Sequence, residues 1–257
     1  MQSIPFKKHL DNYSPFILLL LLILVIWESA VSLHLIPAFI LPAPSSICIA
    51  LIEHRQLLRQ HLLATLEEIL AGFVLSVICG ALLGTGMFLF RPLEKAIYPF
   101  LIISQTIPII ALSPIFIMWF GYTPWSKVAV VFLTAFFPVV VSTYDGLRTS
   151  GQAYKDLLLT FGANRWQLLA KTQIPLALPT FFSGLKLSIV YCVIGVTIGE
   201  WLGGSKGLGY FSRRMAGNIQ SAEIFAAVFL LSALGVVLFL MIALLEALFL
   251  KKRGSKR

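Results

Sequence analysis

Six times along this chain, apolar residues run on for about twenty positions, the length a helix needs to cross a bilayer. That pattern leaves few folds open. Backbone exposed to lipid must satisfy its own hydrogen bonds, which admits only helices or closed barrels. The runs are continuous rather than alternating, so they read as helices. Charged residues make up 12% of the chain, against about 25% in a soluble domain. So few charges would not cover a surface facing water. The expected fold class is therefore an all-α integral membrane protein with six transmembrane helices, at 16–36, 66–90, 97–120, 128–143, 176–199 and 224–250. The expected layout is a cytoplasmic segment 1–15, a single six-span domain 16–250 with a cytoplasmic loop 147–173, and a basic tail 251–257. The first run follows Lys7, Lys8 and His9, as a signal peptide would. It is longer than a usual signal core and no small-residue cleavage site follows, so it is expected to remain as a span.

Positive charge sets the orientation. With both termini in the cytoplasm, the inner side holds Lys7, Lys8, Arg91, Lys95, Arg148, Lys155, Arg165, Lys171, Lys251, Lys252, Arg253, Lys256 and Arg257. The outer side holds only Arg55, Arg59, Lys127, Lys206, Arg213 and Arg214. The net charge of +9 then needs no nucleic acid, because inner basic residues meet anionic lipid headgroups. Residues 41–60 begin LPAPSS and continue as a partly apolar helix, expected to lie along the outer surface.

Little in the chain suggests chemistry. Cys48, Cys79 and Cys192 lack metal or redox spacing and read as small apolar fillers. His9, His34, His54 and His61 lie outside the expected spans and form no HExxH, so no metal site is expected. Glu28, Glu67, Glu68, Asp145, Lys186 and Glu246 fall toward span ends, with Lys186 placed to snorkel. No proton relay at mid-span follows from that, which argues against a proton-driven carrier. An intramembrane aspartyl protease would need a second aspartate beside Asp145, and none lies in another span.

One connection is unlike the others. Residues 154–179, YKDLLLTFGANRWQLLAKTQIPLALP, keep aliphatic and aromatic residues at helical spacing between two spans. They read as a helix, a break at Gly162-Ala163 and a second helix, and the charge bias puts them in the cytoplasm. An apolar surface kept on a loop is a surface for docking.

Pro99, Pro108, Pro114 and Pro138 fall inside spans three and four. Each removes a backbone donor, so these helices either line a path or are simply kinked. Ser104, Gln105, Thr106, Ser113, Thr134 and Thr197 are the neutral polar candidates for such a path, and the alternative for each is a bond to its own helix backbone. In span two, Gly80 and Gly84 form GxxxG, a close-packing face. The connection EWLGGSKGLGY, from Glu200 through Gly207 and Gly209, reads as an outer re-entrant loop, a gate or a docking surface.

At this point the chain resembles the permease subunits of type I binding-protein-dependent ABC importers. The EAA-type cytoplasmic signature of that family is matched by Gly162, Ala163, Pro175 and Pro179. Asp156 stands where glutamate is common, and Leu157 and Leu158 where alanines are common. The segments LPAPSS, TLEEILAGF, SQTIPIIALSPIFIMWFG and GLR are similar to the nitrate, sulfonate and taurine branch. IGEWLGGSKGLGYF with PTFFSGLK also resembles permeases for pyrimidine precursors of thiamine. Members often carry arginine where Glu68 stands.

The resemblance implies a bacterial inner-membrane protein that forms the pathway for a small solute. It implies a cytoplasmic ABC ATPase dimer and an extracytoplasmic solute-binding protein as partners, and a permease homodimer. ATP and magnesium would sit on the ATPase and no cofactor on this chain, which has no GxxxxGK sequence for phosphate. Asp156, Leu157, Leu158, Phe161, Gly162, Ala163, Arg165, Trp166 and Pro175 would form the coupling surface; Ser104, Gln105, Thr106, Pro108, Ser113, Thr134 and Thr197 would line the path; Glu200, Gly207 and Gly209 would close its outer end. The competing readings are a passive channel or a non-transport scaffold.

Overall fold

The structure is a computed structural model that describes residues 6–149 and 157–254. Among the described residues all regular structure is helical. In chain order the helices are α1 (Phe6–Ser32), α2 (Pro44–Glu53), α3 (Arg55–Leu89), α4 (Arg91–Ser104), α5 (Ile109–Phe120) and α6 (Pro124–Thr149). There follow α7 (Arg165–Leu168), a π-helical turn Leu169–Gln173, α8 (Ile174–Gly203), α9 (Leu208–Gly217) and α10 (Ser221–Gly254).

Helices α3, α6, α7 with α8, and α10 are long and apolar enough to cross a membrane, and the pair α4–α5 makes a fifth candidate. Ile17–Ser32 of α1 is a shorter apolar helix, so the helices found are compatible with six spans. The expected boundaries need correcting. The second helix starts at Arg55, well before 66, and the fourth covers Pro124–Thr149 rather than 128–143. Hydropathy marks only the apolar part of a helix, and here the polar ends are helical too. The expected span 97–120 is two helices bent by 103° at a short break. Pro108 has no N–H to continue the ladder, and it sits as the N-cap of α5 with extended φ/ψ. Before it, the amides of Gln105, Thr106 and Ile107 turn back to carbonyls three residues earlier. Pro99, Pro114 and Pro138 are accommodated inside α4, α5 and α6.

The chain forms two compact units, residues 1–59 with 211–229, and residues 60–210 with 230–257. In the first, the LPAPSS motif starts α2. Pro44 takes the first turn, where no N–H is needed, and the Glu28 carboxylate accepts from Ser45 N–H (3.0 Å) and Ser45 Oγ (2.6 Å). Trp27 packs on Phe225, and Ser221 Oγ donates to the Phe39 carbonyl.

The second unit is organised around α6. Along α3, Gly72, Ser76, Gly80 and Gly84 recur every fourth residue and meet α6. A Cβ added at Gly72 would lie 2.4 Å from Val131, at Gly80 2.8 Å from Val139 and at Gly84 2.7 Å from Thr143. Ser76 Oγ donates to the Phe132 carbonyl. Across α6, helix α8 presents Gly184, Ser188, Gly195 and Gly199 in the same way; Ser188 Oγ donates to the Ala135 carbonyl at 2.8 Å. Such close backbone approach lets packing and interhelical hydrogen bonds hold helices that gain nothing from burial against lipid. Ile69, Val131, Ala135, Ile189, Cys192 and Val196 fill the core, Cys192 as the apolar filler expected. Gly195→Leu should drive a side chain into Thr134 and Val131, cost about 1–3 kcal/mol of overpacking and lower the thermal midpoint of the purified protein. Gly217→Ala, with no atom within 4 Å of the new Cβ, should leave that midpoint where it is.

Candidate functional site

The α4–α5 bend, α6 and α8 line an open-sided cavity of about 670 Å³. Ile102, Gln105 and Ile109 enter from the bend, Thr134, Phe137, Pro138, Val141 and Ser142 from α6, and Thr180, Ser183, Leu187, Tyr191, Ile194 and Ile198 from α8. Among the described residues no charged side chain lines it. Of the residues expected on the path, Gln105 and Thr134 reach this cavity. Thr134 Oγ1 donates at 2.7 Å to the Val131 carbonyl and Thr197 Oγ1 to Val193, each held on its own helix, and Thr106 Oγ1, in the break after α4, donates back to Ile103. Ser104 Oγ does the same with Leu101, Pro108 caps α5, and Ser113 is buried within α5. Ser142, Thr180, Ser183 and Tyr191 were missed by sequence reasoning. Thr180, Ser183 and Tyr191 recur on one face of α8 and Ser142 stands opposite on α6, a signal submerged in two apolar runs.

The three residues expected at the outer end do come together. Glu200, the last polar residue of α8, is fully buried, and the glycine loop folds over it. Its Oε1 accepts from Thr65 Oγ1 (2.7 Å) and its Oε2 from the Gly209 N–H (2.6 Å). Thr65 Oγ1 in turn accepts from the Leu208 N–H, and His61 Nδ1 from the Gly207 N–H at 3.0 Å. Gly207 has φ +108°, and a Cβ there would fall 2.1 Å from the Glu200 carboxyl. Only glycine fits on both counts. The loop thus spends its amides on side chains of α8 and α3.

Beside this knot lies a buried ion pair that sequence reasoning did not join. Lys127, expected in an outer connection, sits in the first turn of α6 with its side chain 4% exposed. Its Nζ is 3.1 Å from Oε1 of Glu68, whose side chain is 7% exposed within α3. Burial of both charges together is what makes the position tolerable. Lys186 also meets a counter-charge: its Nζ bonds Glu246 Oε2 of α10 at 2.7 Å. Among the described residues no group of His, Cys, Asp and Glu is arranged to hold a metal.

In the docking segment, Asp156 lies outside the described residues. Residues 157–160 form a helical turn that ends in a Schellman cap: Gly162 N–H donates to Leu159 O and Ala163 N–H to Leu158 O, with Gly162 at φ +79°. The break expected at Gly162-Ala163 is this cap. Asn164 and Gln167 then start α7 with reciprocal side-chain to backbone bonds, at 2.8 and 3.0 Å. Phe161 (78%), Trp166 (71%) and Leu157 (54%) are exposed, as are Leu159 and Arg165, while Leu158 and Ala163 are half-buried. Leu168 and Leu169 turn inward, and Leu169 packs with Leu147 of α6 and Ala177 of α8. Pro175 lies in the first turn of α8. An exposed apolar knob is therefore rooted in the ends of the two central helices.

The profile of the family described as "Binding-protein-dependent transport system inner membrane component" matches residues 72–253. The formylaminopyrimidine transport permease protein ThiX of Halalkalibacterium halodurans is 45% identical over 240 residues, covering 93% of this chain and 96% of that protein. The riboflavin transport system permease protein RibX of Chloroflexus aurantiacus is 37% identical, with 92% and 89% covered. The putative aliphatic sulfonates transport permease protein SsuC of Bacillus subtilis is 29% identical, with 93% and 87% covered. Among solved structures, a chain of the MetNI methionine ABC transporter superposes with TM-score 0.66 at 16% identity, covering 76% of this chain and 96% of that one.

Thr65→Val removes one hydrogen-bond partner from Glu200 and one from the Leu208 amide. The loss of about 1–3 kcal/mol for unsatisfied buried groups should speed hydrogen exchange at residues 207–209 by about tenfold or more, read by mass spectrometry. Unchanged exchange there would mean that the loop is held by something else.

Proposed function

We propose, since the chain belongs to the family of binding-protein-dependent transport system inner membrane components, that it carries an uncharged, flat heterocycle of the pyrimidine thiamine-precursor kind across the membrane. The chain is a multi-pass membrane protein, a permease of the type I ABC importer class that works with an ATPase and a binding protein. The observation that carries the substrate reading is the cavity lining. About 670 Å³ bounded mostly by aliphatic and aromatic side chains, with no cationic group among the described residues, suits a neutral ring. A nitrate or sulfonate would have to leave water there with no counter-charge, which is costly. Gln105, Thr180 and Tyr191 supply polar atoms for a ring's edge, and Ile102, Phe137 and Leu187 supply contact for its faces. Two of the relatives are named for heterocycles, formylaminopyrimidine and riboflavin.

In this reading both termini lie in the cytoplasm of a bacterial cell, as the excess of inner basic residues favours. Two copies of the permease form the pathway about a two-fold axis. ATP and magnesium are bound by the separate ATPase. The loop 147–173 seats in a groove of that ATPase through Leu157, Phe161 and Trp166, with Leu158 and Ala163 beneath them, Asp156 and Arg165 as polar contacts and Pro175 fixing the exit into α8. The exposed apolar area of the knob supports this, and so does its root on Leu147 and Ala177, which would pass a push on the knob to α6 and α8. Glu200, Gly207 and Gly209 close the outer end in this scheme.

The substrate reading is tested in proteoliposomes with the ATPase and binding protein. ATP-dependent uptake of labelled formylaminopyrimidine should be saturable and untouched by excess taurine or nitrate; competition by either anion would replace this reading with the sulfonate or nitrate one. Gly162→Asp should insert normally, because no atom lies within 4 Å of the new Cβ. It strains the left-handed cap by about 1–2 kcal/mol and adds a charge to the knob, so uptake should fall while basal ATP hydrolysis persists.

A further inference from the structure

Near the N-terminal end of α6, apart from the large cavity, lies a second hollow of about 430 Å³. The buried charges in its wall, Glu68 and Lys127, pair with each other at 3.1 Å. The rim is different. Glu67 of α3 and Lys206 of the glycine loop line the hollow and are exposed. Neither forms an ion pair among the described residues, so a carboxylate and an ammonium share one rim without closing on each other. The Trp125 and Tyr122 rings, 62% and 74% exposed, stand at the same opening. The first turn of α6 also lines it, and the positive end of a helix favours a phosphate beside it. Helix length sets the depth. At about 1.5 Å per residue, Glu67 stands about 33 Å along the axis from Leu89 at the far end of α3. On the same measure Trp125 stands about 35 Å from Arg148 in the last turn of α6. A hydrocarbon core is about 30 Å thick. With Arg91 and Arg148 at the headgroups of one leaflet, the hollow lies at the headgroups of the other. Tryptophan and tyrosine are the rings that settle at this depth.

We propose that this hollow seats the headgroup of a zwitterionic aminophospholipid, with Lys206 and the first turn of α6 on the phosphodiester and Glu67 on the ammonium. The two rim charges are opposite, as are the two ends of that headgroup. A purely anionic headgroup would meet Glu67 with no cation to offer it. The Trp125 and Tyr122 rings pack on the glycerol and the upper acyl carbons, apolar in the ring and polar at the tip. Because Lys206 precedes Gly207, a seated lipid ties the glycine loop to α3 and α6 from the bilayer side. The seat is independent of which solute is carried.

The permease–ATPase complex, purified in detergent, is offered equal amounts of phosphatidylethanolamine and phosphatidylglycerol, and bound lipid is counted by native mass spectrometry. In Glu67→Lys both rim charges are cationic. The ratio of bound phosphatidylethanolamine to phosphatidylglycerol should then fall about two- to fivefold from the wild-type value, the scale of exposed ion pairs. Lys206→Glu should lower bound phosphatidylethanolamine by about the same factor. Both side chains are exposed, so both variants should keep the wild-type thermal midpoint. A ratio unchanged in Glu67→Lys, or phosphatidylethanolamine retention unchanged in Lys206→Glu, overturns the seat. Excess glycerophosphoethanolamine, the soluble headgroup without acyl chains, should not displace the lipid. Displacement would assign the hollow to a water-soluble phosphoamine and overturn the lipid reading.

Discussion

Everything in the second unit depends on how closely backbones approach α6. A membrane offers helices no gain from hiding apolar surface against one another, so contact must come from fit and from hydrogen bonds between helices. Here α3 sets Gly72, Ser76, Gly80 and Gly84 against one side of α6, and α8 sets Gly184, Ser188, Gly195 and Gly199 against another. The small residues remove the side chains that would hold the helices apart. Two serine hydroxyls then reach across to carbonyls of Phe132 and Ala135. The consequence is a close-packed three-helix slab, and cavities form where that slab meets something irregular. The large one faces the α4–α5 bend and the smaller one faces the glycine loop.

The two irregular places share a logic. At the bend, Pro108 ends the helical ladder and the freed backbone turns on itself, which lets Gln105 into the cavity. At the loop, glycines surrender side chains so that amides can reach Glu200 and His61. In the docking knob a third glycine, Gly162, caps one short helix so that another can start at Arg165. Each break exposes backbone polar groups, and each is met locally by a carboxylate, a hydroxyl or a capping bond.

Much of this was legible in the residues. Apolar run length gave the long helices, since a continuous hydrophobic stretch has one solution in lipid. Gly80 and Gly84 announced a packing face, and Gly162 announced the turn that φ +79° requires. The bend at 105–108 was only half legible: four prolines pointed to kinks, but which one breaks the helix depends on what packs around it. The Glu200 knot was legible as a glycine-rich loop and opaque as a knot, because its partners Thr65 and His61 lie more than a hundred residues away and leave no local pattern. Glu68 was placed at a span end and Lys127 in an outer connection, unpaired, for the same reason. A lone charge at the edge of an apolar run looks solvated until its counter-charge arrives from another helix.

The account stands on the groove between the α4–α5 bend and the α6–α8 slab being the solute's path. In a background without native cysteines, Ser183→Cys places one thiol on that lining. With the ATPase and binding protein present, the account predicts that a small water-soluble thiol reagent labels this cysteine, that labelling changes when ATP is added, and that formylaminopyrimidine slows it. A thiol that stays unreactive in every condition, as one facing only lipid or packed protein would, contradicts the account.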